Sequence, residues 1–234
     1  MRASRLSRIV PTAFLMAAGL LLVAALPGPA DRPQAELPTA PPSANPPAGE
    51  LLIASAQIRD PRFYHAVILL VRHDAKGAFG IVINKPLGEQ PIAALLAAAA
   101  ATGKGQGGTK GGEAKRGGAD AGIEGTIRVF EGGPVQPELG FIVHSPDYRR
   151  AETTTVDHIV AVTRTIDTLR DIGHHKGPRK YLFALGYAGW GAGQLEDEMA
   201  RHDWFTTPAD EALIFDADRA TLWRKALQLR TREL

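Results

Sequence analysis

The chain has 234 residues, of which 44% are hydrophobic, and this is sufficient for one well-cored globular domain. The formal net charge is +2; residues 1–49 contribute +2 and residues 103–125 contribute +1, which leaves −1 for the remainder. A nearly neutral body argues against direct nucleic-acid binding, which needs clustered cations, and the absence of cysteine excludes disulfides, thiolate zinc sites and thiol catalysis.

The first segment resembles a secretory signal. Arg2, Arg5 and Arg8 precede an uninterrupted, mostly apolar stretch over 12–26, which is shorter than the roughly 20 residues of a membrane-spanning helix. We therefore predict a signal-peptide-like leader over 1–30 that contacts the membrane or the export machinery. The protein would then be exported or membrane-tethered in the periplasm, whereas a start of translation after Met1 would leave it cytoplasmic.

Two further segments lack the apolar residues that a core requires. Residues 31–48 are rich in Pro and Ala and predict a linker, so that the folded domain spans 49–230. Residues 103–125 are rich in Gly, with no large apolar residue before Ile123, and predict a disordered insertion.

The remaining sequence alternates between apolar runs and helix-like segments. Residues 66–74 and 78–86 predict a hairpin across a short turn, and the continuously apolar run 180–188 predicts the central strand. Further strands are predicted at 50–56, 126–132, 140–145, 158–163 and 211–215. Helices are predicted at 91–103, 164–173, 193–204 and 219–230. This order predicts a single α/β domain with a mixed β-sheet flanked by helices.

Three blocks of sequence resemble the signature blocks of the YqgE/AlgH family: GELLIASAQIRDPRFYHAVILLVRHDAKGAFGIVINKPL (49–87), FEGGPVQPELGFIVHS (130–145) and LGYAGWGAGQLEDEMARHDWF (185–205). The resemblance covers nearly all of residues 49–229 and implies a bacterial α/β domain. One member is named for a regulatory influence on alginate production, and the resemblance supplies no reaction, cofactor or catalytic residue. The chain departs from the family pattern at Ser55 and Ala56, where Met-Pro is usual, and in its leader and glycine-rich insertion.

The run GYAGWGAGQLEDEMARHDWF begins at Gly186 and joins an apolar strand to an acidic helix, as phosphate-binding turns do. Here Glu196, Asp197 and Glu198 occupy the start of the helix and would repel a phosphate. The spacing of the glycines matches neither the G-x-G-x-x-G pattern nor a P-loop with its Lys-Ser/Thr. Consecutive helical residues point about 100° apart, so the three carboxylates do not form a metal site. We interpret this segment as a solvated acidic turn beside glycines that permit close packing.

Other motifs offer weaker chemistry. His144 and Ser145 are adjacent strand residues that face opposite sides, so His144 is poorly placed to act as a base for Ser145. The chain also has no G-x-S-x-G nucleophile elbow, so the sequence does not favour hydrolysis by a Ser–His pair. The neighbours His174 and His175 lack a third ligand for a metal. The loop Asp-Pro-Arg-Phe, which begins at Asp60, either contacts a partner or anchors its phenylalanine in the core.

These observations predict a non-catalytic binding or regulatory protein that contacts a protein or small ligand and uses no cofactor and no metal. If the chain has a site, we expect it in a crevice where 132–134 meets 186–190, with these contact residues: Asp60, Arg62, Gly132, Gly133, Pro134, Gly186, Tyr187 and Trp190. The alternative hypothesis is a small hydrolase-type enzyme in the same crevice, with His144 or Asp60 in an acid–base role.

Overall fold

A computed structural model describes residues 46–101, 120–164 and 166–230. The predicted leader (1–30), nearly all of the predicted linker (31–48) and residues 103–119 of the predicted insertion lie outside the described residues. The last part of that insertion is described. There Ile123 packs against the core, and the Asp120 carboxylate accepts a hydrogen bond of 2.6 Å from Arg170 Nε.

Within the described residues, ten strands form one curled sheet. Their bounds are β1 Glu50–Ala54, β2 Val67–Asp74, β3 Gly77–Val82, β4 Pro86–Pro91, β5 Thr126–Glu131, β6 Val135–His144, β7 Thr153–Thr155, β8 Ala161–Thr163, β9 Tyr181–Gly191 and β10 Trp204–Pro208. The main order is β10-β1-β2-β3-β9-β6-β8-β7, and β4 joins through β5. All pairs are antiparallel except β5 with β9, so the predicted mixed sheet is confirmed.

In the part of the chain that the structure describes, four α-helices pack on the sheet: α1 Ile92–Ala101, α2 Ile166–Gly173, α3 Gln194–Ala200 and α4 Arg219–Leu229. The alanine and leucine content of α1 favours a helix intrinsically, and the Asp218 carboxylate caps α4 by accepting from Ala220 N at 3.2 Å. A 3₁₀ turn spans Pro61–Phe63.

The core lies on both faces of the sheet. In β1, Leu51 and Ile53 join one buried cluster with Leu222 of α4, whereas Leu52 and Ala54 join a second cluster with Leu195 of α3. A third cluster forms where α1 and α2 cover β5, β6 and β9. Burial on both faces explains why these strands are continuously apolar rather than alternating.

Several predicted bounds and one predicted element are wrong. Residues 212–216 form a single π-helical turn instead of a strand, because the adjacent side chains of Leu213 and Ile214 both enter the core. The predicted helix 193–204 ends at Ala200, and Trp204 begins β10. The predicted strand 78–86 ends at Val82, and the residues from Pro86 begin β4.

Candidate functional site

A pocket of about 490 Å³ opens where the 3₁₀ turn, the start of β6 and the start of α3 come together. It contains four of the predicted contact residues: Asp60, Arg62, Pro134 and Trp190. The other lining residues are Ile58, Arg59, Phe63, Val135, Gly189, Gln194, Glu198, Arg201 and Asp203. The volume falls within the usual range of small-ligand sites.

Asp60 and Arg62 form one side of the pocket mouth. The Asp60 carboxylate begins the 3₁₀ turn by accepting from the Arg62 backbone N–H at 3.0 Å, and it also accepts from Arg62 Nη2 at 2.6 Å. The Arg62 guanidinium holds the pKa of the Asp60 carboxyl below its ordinary value. The carboxylate is therefore an ionised partner of Arg62 rather than a proton donor.

The same turn directs Phe63 into the pocket floor. Its ring lies 5.4 Å from that of Trp204 in an edge-on arrangement and 6.5 Å from that of Trp190 in a stacked one. Trp190 and Trp204 meet edge-on at 5.8 Å. Aromatic pairs at these separations stabilise one another beyond their buried area. Phe63 and Trp190 therefore form the floor, while Trp204 packs against both from within the core and does not line the pocket.

One carboxylate of α3 holds these rings in place. Glu198 Oε2 accepts hydrogen bonds from Trp190 Nε1 and Trp204 Nε1, both at 2.8 Å, and its Oε1 accepts from Gln194 Nε2 at 2.9 Å. The interpretation of 196–198 as a solvated acidic turn is wrong for this residue, because Glu198 satisfies two indole donors that would otherwise be buried without partners.

Glu196 also points inward rather than into solvent. Its Oε1 lies 3.1 Å from Nε2 of His73, whose side chain is only 3% exposed. The other ring nitrogen of His73 lies 3.0 Å from the Pro46 carbonyl oxygen. A carbonyl oxygen only accepts, so Nδ1 carries a proton there. This contact joins the chain just before β1 to β2 and α3.

The predicted glycines lie behind the pocket and make close backbone contacts. Gly132 N donates to Leu185 O at 2.7 Å, and Gly132 O accepts from Val82 N at 2.8 Å. A Cβ on Gly132 or Gly133 would overlap the β9 backbone, and one on Gly186, where φ is +74°, would overlap the Gly133 carbonyl. These glycines allow the β5–β6 connection to lie against β9 and do not line the pocket.

Tyr187 lies on the opposite face of β9 from Trp190. Its ring packs against Phe79 at 4.9 Å and Phe141 at 6.0 Å, within the other core cluster. The alternation of side chains along a strand accounts for this separation. The predicted contact residues therefore divide into four that share the pocket, three that shape the backbone behind it and Tyr187 on the far face.

His144 lies at the opposite end of β6 from the crevice. Its ring is fully buried; Nδ1 donates to Ser145 O at 2.8 Å, and Nε2 accepts from Thr163 Oγ1 at 2.8 Å. Burial lowers the pKa of the imidazole. The Ser145 hydroxyl donates instead to Asp147. This arrangement makes His144 a neutral member of the core and does not place it against Ser145 Oγ.

Sequence reasoning missed Arg59, Gln194, Arg201 and Asp203 as pocket residues. Arg201 Nη2 pairs with Asp203 at 3.1 Å just after α3, in the turn that leads to β10. Trp190, Glu198 and Trp204 lie close together in the sequence, on consecutive elements β9, α3 and β10, and this proximity could have predicted their contact. The prediction of one continuous helix over 193–204 hid it, because it placed Trp204 in the helix rather than on the following strand.

The described residues were also compared with what a metal site or a membrane-spanning helix requires. Within 46–101, 120–164 and 166–230, no His, Cys, Asp or Glu side chains gather in a group of three or more that could hold a metal ion. In the same ranges, none of the helices combines the length and apolarity needed to cross a bilayer.

Comparison with known proteins identifies the family. The AlgH-like family model matches residues 51–234. A UPF0301 protein of Jannaschia sp. (strain CCS1) is 42% identical over 77% of this chain and 86% of its own length, and one of Sphingopyxis alaskensis is 39% identical over 76% and 86%.

Solved structures agree with this assignment. The solution structure of the AlgH protein from Pseudomonas aeruginosa superimposes with a TM-score of 0.58 at 33% identity, covering 77% of this chain and 88% of that one. A crystal structure from Corynebacterium diphtheriae, at 16% identity and a TM-score of 0.54, shares the fold. The resemblance of the three sequence blocks is thereby confirmed, and the chain belongs to the YqgE/AlgH family.

Proposed function

We propose that this protein is a non-catalytic binding protein whose pocket, formed around Phe63 and Trp190, takes a short segment of a partner protein. The observation that carries the proposal is the chemistry of the lining. Each carboxylate in it is already hydrogen bonded: Asp60 to Arg62, Asp203 to Arg201, and Glu198 to two indoles. Among the described residues that line it, none is a histidine, serine, threonine, cysteine or lysine.

This lining is poorly suited to acid–base or nucleophilic chemistry. A general base must be free to accept a proton from substrate, and a nucleophile needs such a base beside it. The pocket instead combines a rigid aromatic floor with arginines at its rim, and tryptophan and arginine are enriched among residues that dominate binding energy at protein interfaces.

Arg59 indicates the chemistry of the partner. It is exposed at the pocket rim and has no ion-pair partner among the described residues, whereas Arg62 and Arg201 are paired. A segment that carries an apolar side chain next to Asp or Glu would fill the floor and neutralise Arg59. A regulatory role of the protein would then be exerted through protein contacts rather than through DNA.

Selection of a random displayed peptide library on the full chain tests this proposal. We expect enriched peptides to carry an aromatic or aliphatic residue next to an acidic one. Arg59→Glu should weaken their binding by about tenfold or more. Arg149→Glu changes an exposed arginine outside the pocket and should bind as the wild type does. Absence of any enriched motif, or undiminished binding by Arg59→Glu, would overturn the proposal.

The enzyme hypothesis is tested on the same protein. A panel of generic ester and phosphoester substrates is expected to give no turnover above that of buffer. Turnover that disappears in Asp60→Asn but persists in Asp197→Asn would instead favour a hydrolase in this pocket.

A further inference from the structure

A second pocket, of about 590 Å³, lies away from the first, between the β4–β5 ribbon, the beginning of β9 and the chain leading into α4. Its lining combines apolar side chains with one buried cation, Arg219. The larger apolar members are Pro86, Ile127, Phe130, Tyr181, Leu182 and Phe215.

Arg219 is held inside by the local structure. Asp218 caps α4, which makes Arg219 the first residue of the helix, and its guanidinium lies over the Phe130 ring at 5.8 Å. The residue is only 9% exposed. Buried arginines are ordinarily paired with a carboxylate, because removal of the charge from water is costly.

This guanidinium has few partners. Its five N–H groups can all donate, yet the described residues provide one long contact, from Nη1 to Leu213 O at 3.4 Å. No Asp or Glu oxygen of the described residues lies within 4.0 Å of it. Burial lowers the pKa of Arg219 and the nearby Arg128 charge lowers it further, while the charges of Asp216 and Asp218 act in the opposite direction without offsetting this.

The carboxylates around the pocket are engaged elsewhere. Glu89 accepts from Arg128 Nε at 2.9 Å, and Asp216 accepts from Lys180 Nζ at 2.6 Å. Asp218 accepts from Ala220 N and from the Thr221 hydroxyl, both at 3.2 Å. Among the described residues of this lining, Arg219 is therefore the buried cation without a carboxylate partner.

From this geometry we infer that the pocket binds a small organic oxyanion, a carboxylate or phosphate group on an apolar body, with the anionic group on Arg219 and the body against Phe130 and Tyr181. Arginine presents a planar pair of donors that matches such groups. The bound anion compensates the buried charge and its repulsion from Arg128. The apolar wall distinguishes this ligand from a free inorganic ion.

Titration of the ¹⁵N-labelled full chain, followed by NMR, tests the inference with three probes: benzoate, phenyl phosphate and inorganic phosphate. We expect saturable shifts of the amides at 126–130 and 216–220 with benzoate or phenyl phosphate, and weaker binding of inorganic phosphate. Arg219→Gln should reduce the affinity by about tenfold or more. Arg149→Gln, at an exposed arginine that lines neither pocket, should leave the affinity unchanged.

A second pair of variants tests the inference even if Arg219→Gln fails to fold. Ala220 lines the pocket and is exposed in the first turn of α4, where an acidic residue is tolerated. Ala220→Glu adds a competing carboxylate, whereas Ala220→Gln adds the same shape without charge. We expect at least about tenfold weaker binding by Ala220→Glu than by Ala220→Gln. Equal affinities of this pair, no saturable shifts in the wild type, or full binding by Arg219→Gln would overturn the inference.

Discussion

Trp190 and Glu198 are joined by a hydrogen bond of 2.8 Å from the indole Nε1 to the carboxylate Oε2, and Trp204 donates to the same oxygen. The three residues belong to β9, α3 and β10, so a single carboxylate fixes the helix to two strands. The floor of the first pocket depends on this contact, because it fixes the orientation of the Trp190 ring.

Glu198→Ala is expected to lower the free energy of unfolding by roughly 2–4 kcal/mol, since it leaves two indole N–H donors without an acceptor. Urea unfolding followed by tryptophan fluorescence measures the change. Asp197→Ala, one position earlier on the exposed face of α3, should cost less than about 1 kcal/mol. Equal losses from the two substitutions would contradict the role given to Glu198.

Gly186→Ala is expected to cost roughly 3 kcal/mol or more, because its positive φ disfavours a side chain and the added Cβ would overlap the Gly133 carbonyl. Gly193 provides a matched control, with φ of +77° against +74° and nothing within 4 Å of an added Cβ. Gly193→Ala should therefore cost only about 1–2 kcal/mol, the price of the backbone conformation. Chemical unfolding measures the loss of stability in each variant, and the difference between the two losses is the cost of the overlap at Gly186. Similar losses in the two variants would refute this account.

The burial of His144 predicts a pH dependence of stability. Its pKa is lowered in the folded protein, so below the ordinary histidine pKa of about 6.5 the unfolded chain binds a proton that the folded chain does not. The contribution of His144 to stability is therefore fully present above this pH. It is lost as the pH falls from there toward the lowered pKa that His144 has in the folded protein. His144→Gln should show a shallower loss over this range than the wild type when unfolding is measured at successive pH values. Replacement of the exposed His158 by Gln controls for the loss of one imidazole, and an unaltered slope in His144→Gln would be evidence against this origin.

The leader predicts export. Fusion of residues 1–48 to a reporter that is active only outside the cytoplasm should give activity, because the arginines and the apolar stretch at 12–26 have the character of a secretory signal. A fusion carrying Leu20→Asp and Leu22→Asp interrupts that stretch and should be inactive. If the unmodified fusion is also inactive while a fusion with an established signal works, the export prediction is wrong.

The strands with continuous apolar sequence were predictable, and those without it were not. β9 was predicted at the centre because both of its faces are buried, which leaves an unbroken apolar run. β4 was missed because all of its residues are exposed and it contains two prolines and a glycine, so neither burial nor alternation marks it. Its pairing with β5 is a tertiary contact that local patterns do not encode.

The candidate site was predicted in part for a similar reason. The loop at Asp60 and the turn at Pro134 were identified from family-like blocks, and folding brings them together beside Trp190. The engagement of Glu198 could not be inferred from charge alone, since an acidic helix start is usually solvated. Only the fold places two indole donors against this carboxylate.

The long strand β9 connects the two halves of the sheet. Along one edge it pairs with β5 through Phe183–Leu185 and then with β3 through Ala188–Gly191, while β6 occupies its other edge. Neither half of the sheet can detach without giving up this common strand. We therefore expect hydrogen exchange to register the amides of both halves at one shared opening energy, as a single cooperative unit.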